Sequence, residues 1–270
     1  MGKTYGFIGV GNMGGALARA CAKACGDTRI LVSNRTAAKA EALAAELGAR
    51  AVAVTDVAAE ADFVVLGVKP QNLADLFADI TPVLAARETV PVLVTMAAGR
   101  TITQIRALAG PRADGATYPV IRIMPNLPVN IGEGVTLICA DGIADGSFAA
   151  FANDFAAAGQ FIPLPEAQFD AGMAISGCAP AFAFMFADAL AKGGVACGLP
   201  EDVALALAEQ TMRGSAALMQ ADSRTPTELI RAVCSPGGTT IEGVEALRAG
   251  GFDALVQSAI RASFEKASRM

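Results

Sequence analysis

The sequence predicts an α/β fold in which a doubly wound parallel sheet is followed by a domain made only of helices. Two observations support this prediction. Apolar segments of strand length alternate with amphipathic helical segments up to Pro165, and beyond it the strand pattern stops. We therefore place a domain boundary between residues 166 and 167, which gives domains 1–166 and 167–270.

The predicted strands include continuous apolar runs, which are typical of strands buried on both faces of a parallel sheet. They are Thr4–Gly9, Ile30–Ser33, Ala51–Val54, Phe63–Val68, Val92–Met96, Val120–Met124, Gly134–Cys139 and Gln160–Leu164. The clearest helices between them are Asn12–Ala24, Ala37–Leu47 and Gln71–Ile80. From Phe169 onwards the pattern is helical, with breaks at Gly198–Pro200, Ser223–Pro226 and Pro236–Gly238.

Composition excludes several classes of function. The chain is 53% hydrophobic and carries a net charge of −5, so it is globular and offers no basic surface for nucleic acid. It contains no histidine, which removes a histidine base, histidine-ligated zinc and Ser-His-Asp hydrolysis together. Chemistry must therefore depend on a cofactor, hydroxyls, backbone dipoles or carboxylates, and no metal is expected.

The cysteines and the apolar segments predict a cytoplasmic protein. The six cysteines form no Cys-x-x-Cys pair and lie in apolar surroundings, which predicts buried free thiols in a reducing compartment. The N-terminal residues lack a signal-peptide pattern. The longest uncharged stretch, Ala171–Ala187, contains Pro180 and is shorter than the roughly 20 residues of a membrane span, so we predict a buried helix at a subunit interface.

A glycine-rich motif follows the first strand and opens a helix. In Gly9-Val-Gly-Asn-Met-Gly14, Gly9 suits a tight turn, Gly11 allows backbone to approach a pyrophosphate, and Gly14 allows the helix to pack on the strand. This context predicts a Rossmann-type dinucleotide site that also includes Asn12 and Met13.

The end of the second strand bears on the choice of cofactor. NAD enzymes usually carry an acid there for the ribose hydroxyl, whereas this chain has Ser33, Asn34 and Arg35. Hydroxyl, amide and guanidinium donors suit a 2′-phosphate, so we predict NADPH, with NADH possible at lower affinity.

Two further strand ends are expected to border the cofactor. Ligands of open α/β sheets lie outside the carboxyl ends of the strands. The residues concerned are Val68, Lys69 and Pro70 after the fourth strand, and Ala97, Ala98 and Gly99 after the fifth.

A second glycine motif lies near the C-terminus, at Cys234–Gly243. The turn Pro236–Gly238 precedes a helix, and Thr239 with Glu242 has the spacing of a capping box. A helix N-terminus with unpaired N–H groups, glycines and hydroxyls binds small anions such as carboxylates. The residues of this predicted site are Gly237, Gly238, Thr239 and Thr240.

Taken together, these motifs resemble the pyrroline-5-carboxylate reductase family over essentially the whole chain. The matching segments are Gly6–Gly14, Val68–Pro70, Ala97–Gly99, Arg122–Asn126, Ser176–Ala181 and Cys234–Thr240. The resemblance implies a Rossmann domain followed by a helical domain that dimerises by interleaving with its partner, with dimers that often assemble into rings.

The resemblance also implies a reaction, hydride transfer from the nicotinamide to the C=N carbon of 1-pyrroline-5-carboxylate, which gives proline. The carboxylate of this substrate would be held at the C-terminal glycine motif, and the Thr240 hydroxyl would contact its ring nitrogen. Asn126, Ser176 and Cys178 are weaker candidates for the pocket wall. Glu166, Asp170 and Asp188 are expected to be structural, because a carboxylate beside the substrate would repel it.

Three positions depart from the family pattern. Cys178 and Ala179 stand where Ser and Gly are common, and Leu127 stands where Thr usually follows Met-Pro-Asn. The thiol is a weaker hydrogen-bonding group, and the Ala179 methyl, if it faces the pocket, would change substrate preference.

Two alternatives stay open at this point. One is another NADP-dependent imine or β-hydroxyacid oxidoreductase, for which Lys192 is the one candidate acid or base in the central helix, with nothing to pair with it. The other is a non-catalytic NADP-binding regulator on the same scaffold.

Overall fold

The computed structural model describes residues 2–25, 29–143 and 147–269. The chain divides into two compact units. The first unit extends to Gly177 and also includes the C-terminal residues from Phe264 onwards. The second unit extends from Cys178 to Ser263. The predicted boundary between residues 166 and 167 lies inside the first unit and stays a prediction.

The first unit is built on one sheet of eight strands among the described residues, which confirms the α/β prediction. The strands are β1 Thr4–Ile8, β2 Arg29–Ser33, β3 Arg50–Ala51, β4 Phe63–Leu66, β5 Val92–Thr95, β6 Val120–Pro125, β7 Gly134–Asp141 and β8 Gly159–Pro163. They lie in the order β3-β2-β1-β4-β5-β6-β7-β8. All neighbours are parallel except β6 and β7, which are antiparallel.

Helices cover both faces of this sheet. They are α1 Asn12–Ala24, α2 Ala37–Leu47, α3 Val54–Glu60, α4 Leu73–Ala85, α5 Ile102–Ala109, α6 Ser147–Asp154 and α7 Phe169–Ser176. Alternate residues of one strand enter different cores: Val65 packs with α1, α2 and α6, whereas Val64 and Leu66 pack with α3, α4 and α5. Because both faces are covered, β1, β4 and β6 are buried throughout, as continuous apolar runs predict.

The predicted strand Ala51–Val54 is largely wrong. Strand pairing ends at Ala51, and Val54 is the first residue of α3. The helix buries Val57 against the sheet where Gly6 leaves room for it, since a side chain at Gly6 would overlap Val57. A short apolar run does not distinguish a strand from a buried helix, so packing on β1 decided this segment.

The second unit consists of helices. They are α8 Ala179–Ala196, α9 Glu201–Ala221, α10 Pro226–Val233, α11 Thr239–Ala249 and α12 Phe252–Ala267, the last of which ends in the first unit. The buried cluster of this unit consists of Ala191, Ala204 and Ala208, where α8 and α9 pack closely. Many large apolar side chains of these helices are exposed, among them Phe184, Met185, Val233 and Leu255.

The prediction of one helix over Ala171–Ala187 is wrong, and its burial at a subunit interface stays a prediction. This stretch spans parts of α7 and α8, and most of its side chains are exposed or only half-buried. By length and composition alone, the segment Glu166–Ala196 is long and apolar enough to cross a membrane, and 6% of its apolar window is buried. The described residues of the chain therefore leave most of its apolar surface uncovered.

The cysteines are less buried than predicted. Cys21 is buried, whereas Cys25, Cys139, Cys178 and Cys234 are half-buried and Cys197 is exposed. Within the described residues, no group of three His, Cys, Asp or Glu side chains could hold a metal ion.

Candidate functional site

The glycine loop joins β1 to α1 at the carboxyl edge of the sheet. The Gly9 N–H donates to the Ser33 carbonyl at 2.8 Å, and Gly9 has φ +92°, a conformation that L side chains rarely adopt. Gly14 lies so close to the same turn that a Cβ there would overlap the Gly9 carbonyl oxygen. Two of the three motif glycines are thus required for the loop and the helix to pack together.

The third glycine faces open space. A Cβ at Gly11 would meet no atom within 4 Å, and Gly11 is the N-cap of α1 without a side-chain cap. Among the described residues, no group accepts from the first N–H groups of α1, those of Asn12, Met13 and Gly14. These unpaired donors at a helix N-terminus fit the pyrophosphate of a dinucleotide.

The tip of β2 lies beside this loop. Ser33 is buried, and the Asn34 amide is occupied by backbone: its Oδ1 accepts from the Val10 N–H at 3.2 Å, and its Nδ2 donates to the Thr36 carbonyl at 3.1 Å. Arg35 is exposed and makes no hydrogen bond or ion pair within the described part of the chain. Arg35 is therefore available to a ligand, whereas Asn34 already has two partners.

A cleft of about 410 Å³ beside the α1 N-terminus adds a residue that sequence reasoning missed. It is lined by Gly11, Asn12 and Lys39, and Arg19 and Glu46 also line it as a bidentate ion pair at 2.6 and 2.7 Å. The Arg19 guanidinium lowers the pKa of Glu46, so this carboxylate stays paired and the remaining charge of the cleft lining is that of Lys39. Lys39 lies three residues after Thr36, in the first turn of α2. This closeness to the end of β2 is the signal by which the sequence could have indicated Lys39.

The loops after β4 and β5 begin at the same edge of the sheet as the glycine loop, because β1, β4 and β5 are parallel and in register. Val68 and Pro70 are half-buried, and Lys69 between them is exposed. In the second loop Ala97 is buried, Ala98 packs near Met124 and Phe169, and Gly99 has φ +70°.

The structure brings two of the predicted pocket-wall residues together. The Asn126 Nδ2 donates to the Ser176 carbonyl at 2.9 Å, and its Oδ1 accepts from the Val135 N–H at 2.9 Å. The Ser176 hydroxyl donates to the Gly172 carbonyl one helical turn before it. The Asn126 side chain therefore connects the end of β6 with β7 and α7, whereas the Ser176 hydroxyl bonds within α7. Substrate contact by either residue stays a prediction.

An ion pair between a buried arginine and a half-buried glutamate also holds this part of the first unit together. Arg122 is 3% exposed; its guanidinium donates to Glu166 Oε1 at 3.0 Å and stacks 4.6 Å from the Phe169 ring centre. The same Glu166 oxygen accepts from the Ile102 N–H at 2.8 Å, which ties the N-terminus of α5 to the pair. Glu166 is thus structural, as expected.

Arg122 also lies opposite Cys139 in the β6–β7 ladder. Burial and the Glu166 charge raise the pKa of the Cys139 thiol to about 11, although Arg122 opposes this shift. Cys139 is therefore a thiol and not a thiolate at neutral pH.

The C-terminal glycine motif lies in the second unit, between α10 and α11. Residues 235–238 form a turn in which the Gly238 N–H donates to the Ser235 carbonyl at 3.0 Å and Gly237 has φ +68°. The predicted Thr239–Glu242 capping box is wrong, because Gly238 takes the N-cap position and Thr239 is already helical. Two other capping boxes, Thr101 with Gln104 and Thr225 with Glu228, went unnoticed in the sequence.

The first turn of α11 nevertheless offers unpaired donors. Thr239 and Thr240 are exposed, and none of the described residues accepts from their backbone N–H groups or their hydroxyls. A helix N-terminus of this kind can hold a small carboxylate.

Known proteins similar to this chain match it over its full length. It is 34% identical to the pyrroline-5-carboxylate reductase of Glycine max, with 99% of this chain and 96% of that protein covered. It is 33% identical to the pyrroline-5-carboxylate reductase of Aquifex aeolicus, with 98% and 96% covered. The chain belongs to the pyrroline-5-carboxylate reductase family. Residues 166–270 match the family model for pyrroline-5-carboxylate reductase dimerisation, and residues 4–99 match the model described as NADP oxidoreductase, coenzyme F420-dependent.

Solved structures of pyrroline-5-carboxylate reductases share the fold. The protein from Coxiella burnetii aligns with a TM-score of 0.91 at 28% identity, covering 100% of this chain and 98% of that one. The protein from Plasmodium falciparum, solved with NADP bound, aligns with a TM-score of 0.83 at 25% identity, covering 99% and 97%.

The three positions that depart from the reductase family pattern lie at the start of α8 and beside the cleft. Cys178 is half-buried and is the N-cap of α8, where its carbonyl accepts from the Ala181 N–H; Ala179 is the first residue of that helix. Leu127 is 53% exposed and lines the cleft that contains Lys39, so its side chain faces the region of the glycine loop.

The lysine on which the β-hydroxyacid alternative depends has a partner after all. Lys192 Nζ donates to Asp188 at 2.6 Å, one helical turn away on α8, and this contact raises the lysine pKa. A raised pKa makes Lys192 a poorer base near neutral pH, so the structure gives that alternative no support.

Proposed function

We propose that this protein reduces 1-pyrroline-5-carboxylate to L-proline with NAD(P)H, the last step of proline biosynthesis. Full-length similarity to pyrroline-5-carboxylate reductases supports the reaction. The observation that carries the substrate assignment is the first turn of α11, with unpaired N–H groups and two hydroxyls without partners among the described residues.

We assign the substrate carboxylate to this turn. Gly237 and Gly238 leave the approach free of side chains. The Gly238 N–H is already bonded to Ser235, so the N–H groups of Thr239 and Thr240 are the available donors. The helix dipole adds favourable charge at this end. Asn126, Ser176 and Cys178 are proposed to form the pocket wall, and Asn126 does so while bonding to the Ser176 carbonyl and the Val135 N–H.

The ring nitrogen needs a hydrogen-bond partner while the C=N bond is reduced. The nicotinamide, when bound, supplies the hydride. The chain has no histidine, so we assign the contact with the ring nitrogen to the Thr240 hydroxyl, with a protonated imine or water as the proton source.

Replacing Thr240 tests this role. Thr240→Val keeps the shape but removes the hydroxyl, and we expect turnover to fall about 10- to 100-fold while NADPH binding is unchanged. Thr240→Ser restores a hydroxyl and should recover most of the rate. Unchanged turnover of Thr240→Val, measured as NADPH oxidation on addition of pyrroline-5-carboxylate, would refute the assignment.

We propose NADPH as the preferred cofactor. The pyrophosphate is assigned to the loop of Gly9, Gly11, Asn12, Met13 and Gly14, and the 2′-phosphate to Arg35 with Lys39. Ser33 and Asn34 border that phosphate, and the remaining contacts are assigned to the other two strand ends: Val68, Lys69, Pro70, Ala97, Ala98 and Gly99. Support comes from Arg35 and Lys39, whose side chains have no partner among the described residues, and from the match to the NADP oxidoreductase model.

The cofactor assignment predicts a selective loss. Arg35→Asp should raise the Kd for NADPH at least tenfold more than that for NADH, because an acid repels the 2′-phosphate. Lys23→Asp makes the same charge change on an exposed residue at the other end of α1, and both constants should stay near their original values. Equal losses for the two cofactors in Arg35→Asp would contradict the assignment.

We further propose a cytoplasmic homo-oligomer in which residues 167–270 provide dimerisation and substrate binding and residues 1–166 bind NADP. The dimerisation model over 166–270 supports this division, and it favours a protein cover for the exposed apolar side chains of these helices. Light scattering coupled to size-exclusion chromatography, without detergent, distinguishes a monomer, a dimer and a ring of dimers. A monodisperse monomer would contradict the proposal.

A further inference from the structure

The Asn34 side chain joins the end of β2 to the glycine loop. Its Oδ1 accepts from the Val10 N–H at 3.2 Å, and its Nδ2 donates to the Thr36 carbonyl at 3.1 Å. A flipped amide would place donor against donor and acceptor against acceptor, so the two backbone partners fix its orientation.

Among the described residues, this amide makes one of two hydrogen bonds between the end of β2 and the loop. The other is the backbone bond from the Gly9 N–H to the Ser33 carbonyl at 2.8 Å. Val10 is 8% exposed, so its N–H without Asn34 would be a backbone donor with little access to water. The loop would then lose the hydrogen bond that fixes the peptide group between Gly9 and Val10.

We propose that Asn34 is a positioning residue that holds the glycine loop in its pyrophosphate-binding conformation, and that it does not select between NADPH and NADH. This proposal rests on the proposed cofactor site. The pyrophosphate is common to both cofactors, so an effect through the loop applies equally to both. Selection is then left to Arg35, whose guanidinium has no partner among the described residues, and to Lys39 in the cleft.

The decisive measurement is a pair of dissociation constants, for NADP⁺ and NAD⁺, determined by titration of the full-length protein without substrate. For Asn34→Ala we expect both constants to rise by about tenfold, the factor that one ordinary hydrogen bond is worth, with their ratio unchanged. Arg35→Ala is the matched comparison, and there only the NADP⁺ constant should rise.

Amide hydrogen exchange provides a second readout that does not need a ligand. In Asn34→Ala the Val10 amide should exchange faster, whereas the neighbouring Gly9 amide, held by Ser33, should keep its protection. Asn34→Asp retains an acceptor for the Val10 N–H but places an oxygen against the Thr36 carbonyl, so Val10 should lose less protection than in Asn34→Ala.

Three results would overturn the proposal. One is a rise of the NADP⁺ constant alone in Asn34→Ala, which would make Asn34 a phosphate ligand. The second is no change in either constant, and the third is unchanged Val10 exchange. Because these measurements use no pyrroline-5-carboxylate, failure of the proposed reaction would show separately, as absence of turnover in the unmodified protein with either cofactor.

Discussion

The two units of this chain differ in how they bury apolar surface. The first closes two large cores, one on each face of its sheet, which contain aromatic side chains such as Tyr5, Phe7 and Phe77. The second buries only a small cluster of alanines between α8 and α9 among its described residues, while Met185 and Leu255 are 70% and 67% exposed.

This difference indicates what each unit needs in order to be stable. The first has the interior of an independently folded domain, and its glycine loop is held by bonds within the same unit. The second leaves large apolar side chains exposed on most of its helices, so we expect its stability to depend on association and therefore on protein concentration.

The largest expected effect comes from substitutions of two motif glycines in the first unit, one needed for folding and one for cofactor binding. Gly14→Ala places a methyl group against the Gly9 carbonyl oxygen, and we expect a loss of about 3 kcal/mol or more in the free energy of unfolding without cofactor. Gly11→Ala places its methyl in open space and should cost about 1 kcal/mol at most, through a poorer N-cap.

The two variants should also differ in how they respond to NADPH. In Gly11→Ala the methyl lies where the pyrophosphate is expected to approach, so the rise of Tm on adding NADPH should disappear. Thermal unfolding with and without NADPH checks both variants, and an unperturbed Tm of cofactor-free Gly14→Ala would contradict the packing argument.

The next effect tests the apolar surface of the second unit. Met185→Arg puts a charge on an exposed side chain of α8, which costs little in a monomer but several kcal/mol if association buries it without a partner. We expect light scattering to show a smaller species. Ile131→Arg is the control, at a residue that is 78% exposed but outside the dimerisation segment, and its assembly should be unchanged.

The smallest expected effect concerns a polar contact at the edge of the first core. Asp154 accepts from Lys3 Nζ and from the buried Tyr5 hydroxyl, both at 2.6 Å. Burial pushes the pKa of Asp154 upwards, but the hydrogen bonds from Lys3 and Tyr5 outweigh it and the net shift is downwards. Asp154→Asn should therefore cost about 1–2 kcal/mol at neutral pH.

The pH dependence of that cost follows from the sign of the shift. A lowered carboxyl pKa stabilises the fold above its ordinary value of about 4, and the contribution is lost as the pH falls through the lower folded value. Denaturation by urea at several pH values should show the difference between Asp154→Asn and the original protein shrinking below about pH 4. A difference independent of pH would mean that the carboxylate charge contributes nothing.

Much of the fold, and the loop to which we assign the cofactor, could be predicted from local sequence. The apolar runs of β1 and β4 and the spacing of Gly9, Gly11 and Gly14 are local patterns with local physical causes, and the strands and α1 lie where these patterns place them. Lys39 was missed because its relevance depends on how α2 folds back towards α1. The prediction of a Thr239–Glu242 capping box was wrong because Gly238 and Thr239 are adjacent candidates for the N-cap. The hydrogen bond from the Gly238 N–H to the Ser235 carbonyl places Gly238 in that position.

The sequence by itself determined the fold class, the glycine loop to which we assign a dinucleotide, and the exclusion of histidine chemistry, because each depends on residue type and short-range spacing. Only the tertiary structure decided that the Asn34 and Asn126 amides have backbone partners, that Val54 begins a helix, and that α8 lies exposed within the single chain. Each of these depends on which surfaces meet across long stretches of sequence, and hydrogen-bond partners and burial are set by that meeting.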